Sequence, residues 1–387
     1  MLRSTLAGLC VLCFSVGNAC AADFDATKLS AIDDSVAAAL KRGDCPGAVV
    51  VVVHDDEVVF RKAYGFRAVK PKEVTMTADT IFDLASLTKP IATATCVMLL
   101  IKEGKLKPSD LVSKHWPAFA ANDKDKVTVE HLLLHTSGLT ADNAIADYAN
   151  GKAKAMERIA ALKLEAPPGT RFRYSDVGFI VLGELVERVS ETPLDAFAKK
   201  HIFDPLKMTD TAFNPGETLK KRVAPTGLRD GAIILGEVHD PRAFKLDGIA
   251  GHAGLFATAD DLARFCRMLL RGGELDGTRI FSEKTVKLFT EPHTIMGPAN
   301  KDGTTPKLVR SFGWDIDTGY SGQRGELFTK GEGFGHTGFT GTSIWLDPGT
   351  KTAVIVLTAR VHPDDKGNVL QLRREIGTIA AKAAGKK

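Results

Sequence analysis

Ser86 and Lys89 are the first residues whose types and spacing suggest chemistry. They lie in the apolar stretch FDLASLTKPIATATCVMLL, residues 82–100, which has the composition of a helix. At a spacing of i and i+3 on a helix, their side chains share a face. A serine hydroxyl becomes a good nucleophile only when a base takes its proton, and a lysine can do so if burial lowers its pKa. Since Ser-x-x-Lys is common by chance, the alternative is a lysine that is only a surface charge at a helix end.

Two further motifs lie downstream, and each has an ordinary structural interpretation of its own. Tyr174-Ser175-Asp176 has the form of a helix N-cap preceded by a packed tyrosine. The stretch GFGHTGFTGTS, residues 333–343, is typical of a glycine-rich strand edge that another backbone approaches closely. Together with Ser-x-x-Lys, however, the motifs form an ordered set that is more specific than any one of them.

In order and spacing, this set resembles the serine β-lactamase and penicillin-binding-protein superfamily, on its class C branch. The resemblance covers roughly residues 25–385 and includes LLLHTSGL (132–139) and GIAGHAGLFATADDLARF (248–265). It implies an α+β fold of the serine β-lactamase type. In that fold an antiparallel sheet, flanked by the terminal helices, is joined to a mostly helical lobe.

The resemblance also implies a role for each motif residue. Ser86 would be the acylated nucleophile, and Tyr174 would exchange protons within a network shared with Lys89. The backbone N–H groups of Ser86 and Phe339 would form the oxyanion hole, where one donor is worth about 2.7–4 kcal/mol. The substrate would dock along the strand that holds the remaining predicted site residues: His336, Thr337, Gly338 and Thr340. The two threonine hydroxyls would face a substrate carboxylate.

Two residues depart from the class C pattern. The branch has Tyr-x-Asn where this chain has Asp176, and an ionised carboxylate cannot donate to a substrate carbonyl as an amide would. A carboxylate near Lys89 would hold that lysine as the ammonium, so we favour Tyr174 as the base and leave Lys89 as the alternative. His336 replaces the usual lysine of Lys-Thr-Gly, as in related D-alanyl-D-alanine carboxypeptidases, D-aminopeptidases and esterases. A neutral imidazole holds an anion less firmly than a lysine, so both departures argue against potent β-lactam hydrolysis.

The motifs and the resemblance together predict an exported serine hydrolase that cleaves an amide or ester through an acyl-enzyme on Ser86, without metal or cofactor. The expected substrate is a small molecule or a fragment of peptidoglycan. The activity would be that of a D-alanyl-D-alanine carboxypeptidase or a β-lactamase-like enzyme. One alternative is a short-chain carboxylesterase, and another is a protein that binds penicillin or the cell wall without turnover.

Three other histidines, His131, His135 and His252, are candidates for a binding role. His131 and His135 lie one helical turn apart, but no glutamate occupies the metalloprotease position between them, so no metal site is expected. His252 either lines the cleft or pins a glycine-rich turn. The sequence contains no Gly-x-Ser-x-Gly elbow, phosphate-binding loop or dinucleotide fingerprint.

Composition and the first residues limit where the protein acts. Residues 1–21 have the pattern of a signal peptide that ends in Ala19-Cys20-Ala21, with a lipoprotein through Cys20 as the weaker alternative. No later segment has the composition of a membrane span. The net charge is +4 and no basic run is interleaved with aromatic residues, so nucleic-acid binding is not expected. Cys45, Cys96 and Cys266 fit no metal motif and are expected to be buried free thiols.

Periodicity predicts one catalytic domain, residues 22–387, with two lobes. An α/β lobe would comprise 22–83 and 300–387, and a helical lobe 84–299. The α/β lobe would contain a helix that ends at Gly43 and a hairpin built from GAVVVVVHD and EVVFRKAYGF. It would also contain five late strands, SFGWDID, GELFTKG, GFGHTGF, TSIWLDPG and TAVIVLTAR, and a final helix. The active site would lie in a cleft between the lobes.

Overall fold

The computed structural model describes residues 24–387, so the predicted signal peptide lies outside the described residues. The α-helices are α1 (Ala31–Arg42), α2 (Thr95–Lys102), α3 (Val112–His115), α4 (Val129–Leu133), α5 (Gly151–Ala160), α6 (Asp176–Ser190), α7 (Leu194–Ala198), α8 (Glu217–Lys220), α9 (Pro241–Lys245), α10 (Ala259–Leu270), α11 (Glu283–Thr290) and α12 (Leu370–Ala383). The strands are β1 (Gly47–His54), β2 (Glu57–Ala68), β3 (Val74–Thr75), β4 (Phe82–Asp83), β5 (Ala212–Phe213), β6 (Leu228–Arg229), β7 (Ala232–Ile233), β8 (Leu255–Ala257), β9 (Glu274–Leu275), β10 (Thr278–Arg279), β11 (His293–Met296), β12 (Lys307–Ser311), β13 (Trp314–Asp317), β14 (Phe334–Thr337), β15 (Ser343–Asp347) and β16 (Thr352–Thr358).

Nine of the strands form one antiparallel sheet. Its order is β11-β12-β13-β14-β15-β16-β1-β2-β3, so the first strands of the chain continue the last ones. The joint is the pair β1 and β16, in which Val51 lies opposite Ile355. The prediction that the two groups of strands form one antiparallel sheet in an α+β fold is therefore confirmed.

The valine run of β1 shows why this strand lies at the centre of the sheet. Successive side chains on a strand point to opposite faces. Val50 and Val52 accordingly lie in a core with residues of α1 and α12, whereas Val49, Val51 and Val53 lie in the core that continues into the helical part. Because both faces are covered, every residue of the run is fully buried.

Helix boundaries follow local capping chemistry. Ser175, Thr258 and Ser282 each accept a backbone N–H at the start of α6, α10 and α11. The N-cap predicted at Tyr174-Ser175-Asp176 is thus confirmed at Ser175, and α1 ends at Gly43 as predicted. These short polar side chains satisfy amides that the first helical turn leaves without partners.

The observed strands and lobes differ from the predicted ones in three places. The stretch GELFTKG, 325–331, is a turn and not a strand, because the chain at Gly325 runs against α12, where a Cβ would lie 2.3 Å from the Thr378 amide nitrogen. The sheet begins at His293 and not at residue 300. Finally, α10 packs against β1 and β16 of the large sheet, whereas the sequence predicts it in the helical lobe.

The segment that carries the nucleophile is a core helix. By length and composition alone Ala85–Lys102 could cross a membrane, so the expectation that no segment after residue 21 has such a composition is wrong, but 83% of this segment is buried inside the fold. The three cysteines of the described residues are also buried and free, as predicted. Burial raises the pKa of each thiol, to about 12 for Cys45, so all three are unreactive at neutral pH.

Candidate active site

The backbone around Ser86 is irregular. Ala85 has φ +47°, an uncommon value for a residue with a Cβ, and begins a 3₁₀ turn that ends at Leu87. A π-helical segment, Lys89–Ala94, then leads into α2, and Pro90 lies in its first turn, where proline is tolerated. Ser86 is therefore the one half-buried residue in a buried stretch, 81–100.

Lys89 lies beneath Ser86 and is fully buried. Its Nζ donates to the Ser86 Oγ and to the His252 carbonyl oxygen, both at 3.0 Å. The Asp176 carboxylate lies 2.6 Å from the same nitrogen. Burial lowers the pKa of Lys89, but the negative charge of Asp176 and the hydrogen bonds with Asp176 and Tyr174 outweigh burial and raise that pKa above its usual value. Lys89 is thus an ammonium at neutral pH.

Tyr174 lies at the entrance to α6 and faces the same ammonium. Its ring stacks on His135 at a centroid distance of 4.5 Å, and the Lys89 Nζ lies 5.0 Å from its ring centroid. Burial raises the pKa of Tyr174, and the charge of Lys89 and hydrogen bonds with Lys89 and Ser86 only partly offset that rise. The resting side chain is therefore the neutral phenol, next to both groups with which it would exchange a proton.

The strand β14 forms the opposite wall. His336 is buried, and its Nδ1 lies 2.9 Å from the Thr337 carbonyl oxygen, which can only accept, so Nδ1 carries the proton. Burial and the charges of Arg310 and Lys89 hold the pKa of His336 well below its usual value. The imidazole is accordingly neutral, and its Nε2 lies 4.0 Å from the Asp315 carboxylate.

The loop after β14 approaches the nucleophile segment closely. A Cβ on Gly338 would lie 2.4 Å from the Leu84 carbonyl oxygen, so this position requires glycine. Within residues 24–387, the amides of Ser86 and Phe339 have no hydrogen-bond acceptor in the protein. Two free N–H groups on facing segments are what an oxyanion hole requires.

Three residues that the sequence suggests for the substrate site do not face the cavity in front of Ser86. The hydroxyl of Thr340 donates to the Asp83 carbonyl oxygen at 2.7 Å and is buried, so the prediction that it faces a substrate carboxylate is wrong. Asp176 lies beside Lys89 and does not line the cavity in front of Ser86. His252 does not line the cavity either, because its Nε2 lies 2.9 Å from Asp240 and its carbonyl oxygen faces Lys89.

The other two histidines have structural partners. The Nδ1 of His131 accepts from the Thr128 amide within its own helix cap, and the Nδ1 of His135 accepts from the Ser175 amide. Within the described chain, one group could hold a metal ion by proximity: Asp176, Asp240 and His252, whose ligand atoms lie within 4.8 Å of one another. Since Lys89 already neutralises Asp176 and His252 is bonded to Asp240, this set suits an ion-pair network better than a cation.

A cavity of about 560 Å³ opens in front of these groups. Its lining includes Ser86, Tyr174, His336, Thr337, Gly338, Phe339, Tyr320, Arg360, Lys366 and Arg373. We refer to it as the catalytic cavity. The structure therefore brings all three motifs to one surface, together with cations that the sequence analysis did not predict.

Arg373 is the most unusual of those cations. It is 6% exposed, and its Nη2 donates to the carbonyl oxygens of Gly338 and Thr342, at 2.9 and 2.8 Å. No carboxylate among residues 24–387 pairs with it, and burial, aided by Arg360, lowers its pKa to about 9. The sequence held a signal, since Arg373 falls at helical spacing between the buried residues Val369 and Ile376.

Comparison with known proteins agrees with this geometry. A family model described as Beta-lactamase matches residues 32–377. The chain belongs to the β-lactamase family. Over 380 residues it is 33% identical to a protein of Escherichia coli O157:H7 named as an inferred D-alanyl-D-alanine carboxypeptidase, with 88% of this chain and 84% of that one covered. It is 32% identical over 394 residues to N-acetylmuramyl-L-alanine amidase of Bacillus subtilis (strain 168), with 92% and 87% covered.

The fold of the family is confirmed by a solved structure. A penicillin-binding protein homolog from Caulobacter crescentus superposes with a TM-score of 0.73 over 92% of this chain and 97% of that one, at 22% identity. That likeness supports the fold, whereas the closer relatives support the class of reaction. The prediction of a serine hydrolase of the β-lactamase family is confirmed.

Proposed function

We propose that this β-lactamase-family hydrolase is an exported D-alanyl-D-alanine carboxypeptidase that acts through an acyl-enzyme on Ser86. The observation that carries the choice of substrate is Arg373, a buried guanidinium with no carboxylate partner in the described chain, in the wall of the catalytic cavity. Buried charges are usually paired, because an uncompensated one is costly. A carboxylate at the end of a substrate peptide would supply the missing partner.

The chemical step follows from the contacts of Ser86. Tyr174, once ionised, takes the proton of the Ser86 hydroxyl as Oγ attacks the scissile carbonyl carbon. The resulting phenol gives this proton to the leaving amine as the carbon–nitrogen bond breaks. In deacylation Tyr174 takes a proton from water as the water oxygen attacks the ester carbon. The bond between that carbon and Ser86 Oγ then breaks, Tyr174 returns the proton to Oγ, and the acyl group leaves as a carboxylic acid.

Lys89 has a supporting role in this scheme. Because Asp176 holds it as the ammonium, it cannot take a proton from Ser86. It donates to the Ser86 Oγ instead, and its charge lowers the pKa of Tyr174 against the effect of burial. The alternative, in which Lys89 is the base, would require loss of the Asp176 interaction first.

Recognition would depend on the wall formed by β14 and α12. The free amides of Ser86 and Phe339 would hold the oxyanion. Thr337, which lines the catalytic cavity, and Arg373 would bind the terminal carboxylate of the leaving residue. Since His336 is neutral, the positive charge that the lysine of a Lys-Thr-Gly motif would supply would here come from Arg373.

The test is mass spectrometry of the wild-type protein and the Ser86→Ala variant after exposure to three compounds. These are a D-Ala-D-Ala peptide, a penicillin and p-nitrophenyl acetate. We expect release of D-alanine and a transient adduct on Ser86. Rapid ester cleavage without D-alanine release would favour a carboxylesterase, and a stable penicilloyl adduct would favour a penicillin-binding protein. Activity that survives in Ser86→Ala would refute the mechanism.

Export is proposed on the signal-peptide pattern of residues 1–21. It places the enzyme where peptidoglycan fragments occur. N-terminal sequencing of the protein secreted by the native cell should begin at residue 22. A mature N-terminus blocked by a lipid on Cys20 would favour the lipoprotein instead.

A further inference from the structure

Asp83 is a buried carboxylate three residues before Ser86, at the end of β4, and it is 2% exposed. One carboxylate oxygen accepts from the Ala85 amide at 2.8 Å, and the other accepts from the His239 amide at 2.6 Å. Its carbonyl oxygen accepts from the Thr340 hydroxyl at 2.7 Å. Through these bonds one residue joins the nucleophile segment to two segments that are distant in sequence.

The bond to Ala85 holds a strained backbone. A φ of +47° at a residue with a Cβ is strained, and it persists only where the surrounding structure holds it. Asp83 accepts from the amide of this residue, and Ser86 comes next in the chain. The carboxylate therefore stabilises the conformation from which the nucleophile and its amide face the catalytic cavity.

The other two hydrogen bonds of Asp83, with His239 and Thr340, connect it to the loop after β14, which contains Phe339. The ring of His239 stacks on the Phe339 ring at a centroid distance of 5.6 Å, and Thr340 is the next residue after Phe339. A second hydroxyl, that of Thr342, donates to the Leu84 carbonyl oxygen at 3.0 Å. The two segments that carry the free amides are thus connected through the backbone and side chain of residues 83–84.

We propose that Asp83 is a positioning residue, whose ionised carboxylate fixes the Ser86 amide and the Phe339 amide relative to each other. This inference rests on the proposed function, which assigns those amides to the oxyanion hole. Both partners of the carboxylate are backbone N–H groups, so both of its oxygens must accept. A protonated Asp83, or an asparagine, would present a donor to one of them.

The surroundings of Asp83 place its titration in an accessible range. Burial raises its pKa to about 6, the two N–H bonds oppose that rise, and the nearby charges of Asp240 and Arg229 act in opposite directions. The adjacent His239 ring is neutral, since burial lowers its pKa. Activity should therefore increase as the pH rises through about 6.

The titration of Asp83 should also change the folding stability with pH, but in the direction opposite to its effect on activity. The pKa of Asp83 in the folded chain lies above the ordinary value of 3.8. The folded state therefore binds the proton more tightly, and the contribution of Asp83 to stability falls as the pH rises from about 4 to about 6. A residue that acted on activity only through stability would give both quantities the same sign.

The test measures p-nitrophenyl acetate hydrolysis by wild type and Asp83→Asn between pH 4.5 and 8. We expect kcat to fall about 10²-fold with KM little changed, and the inflection near pH 6 to disappear. Asp261→Asn is the matched control. Asp261, on α10, is also buried with a pKa raised to about 6, and it accepts from the Asp210 amide and the Thr211 hydroxyl. This control should keep both kcat and the inflection.

A second variant, Thr340→Val, keeps the inference testable if Asp83→Asn does not fold. Thr340→Val removes one link without a change of charge, so it should lower kcat and retain the inflection. The inference is overturned if Asp83→Asn keeps wild-type kcat or keeps the inflection, or, should that variant fail to fold, if Thr340→Val has wild-type kcat. The proposed function fails separately, if Ser86→Ala hydrolyses the ester at the wild-type rate.

Discussion

The two walls of the catalytic cavity each contain a buried cation, and the two cations differ in their partners. On the nucleophile wall, which comprises Ser86, Lys89 and Tyr174, the buried ammonium has a carboxylate partner at 2.6 Å, in Asp176. On the recognition wall, which comprises His336, Thr337 and Arg373, the buried guanidinium bonds only to carbonyl oxygens among the described residues. Pairing fixes a charge in place, whereas an unpaired buried charge is costly until a ligand arrives. On the basis of this difference we propose that the nucleophile wall carries out the chemistry and that the recognition wall selects the substrate.

The neutral groups follow the same division. Burial raises the pKa of Tyr174 and lowers that of His336, so both are uncharged at rest. Tyr174 lies beside an ammonium that favours its ionised form, and it can enter the proton transfer. Burial and the positive charges of Arg310 and Lys89 oppose the protonation of His336, so it contributes no positive charge to the recognition wall.

The largest effect is expected from Lys89→Met, on the nucleophile wall. The change removes the donor to Ser86 and leaves Asp176 near Tyr174 without a counter-charge, so kcat should fall about 10³-fold. The loss should be similar for a D-Ala-D-Ala peptide and for p-nitrophenyl acetate. Steady-state kinetics on both substrates measure it.

Lys124→Met is the matched control, because Lys124 is the other fully buried lysine of the described chain. Its Nζ bonds to the carbonyl oxygens of Ala121 and Leu162, away from the catalytic cavity. It should lose stability and keep kcat. A kcat loss of equal size in both variants would show that Lys89 acts only through folding.

A smaller and selective effect is expected from Arg373→Ala. A hydrogen-bonded charge contributes about 1.5–3 kcal/mol, so kcat/KM for the peptide should fall about 10- to 150-fold. Hydrolysis of p-nitrophenyl acetate, which has no carboxylate, should change little. The matched control is Arg374→Ala, at the exposed neighbour on α12, which should behave as wild type on both substrates.

The smallest effect is a shift in pH dependence in Asp176→Asn. The negative charge of Asp176 raises the pKa of Tyr174, so its removal should lower that pKa and move the acid limb of kcat/KM to lower pH. The pH–rate profile with p-nitrophenyl acetate measures this shift. Asp142→Asn, which removes a carboxylate paired with Arg242, should leave the limb in place. An unmoved limb in Asp176→Asn would contradict the assignment of Tyr174 as the base.

The sequence predicts the residues of the nucleophile wall more completely than those of the recognition wall. Ser86 and Lys89 are three residues apart, so local geometry alone predicts their contact, and the valines of β1 predict a strand in the same way. The partners of Arg373 are Gly338 and Thr342, more than 30 residues earlier, and only the packing of α12 on the sheet brings them together.

The two wrong predictions, for Thr340 and for the stretch 325–331, also arise from contacts between residues that are distant in sequence. Thr340 follows a motif threonine and was expected to face the substrate, but the turn after β14 directs its hydroxyl to Asp83. The stretch GELFTKG has the residue types of a strand, but the contact of Gly325 with α12 turns it away from the sheet. In both cases a tertiary contact, which no local pattern encodes, decides the conformation.

The division between the two walls is tested most directly by one comparison of two variants on two substrates. Lys89→Met and Arg373→Ala are each measured with the D-Ala-D-Ala peptide and with p-nitrophenyl acetate. We expect Lys89→Met to lose both activities and Arg373→Ala to lose only the peptide activity. Equal losses on both substrates in Arg373→Ala would contradict the assignment of that wall to recognition of a carboxylate.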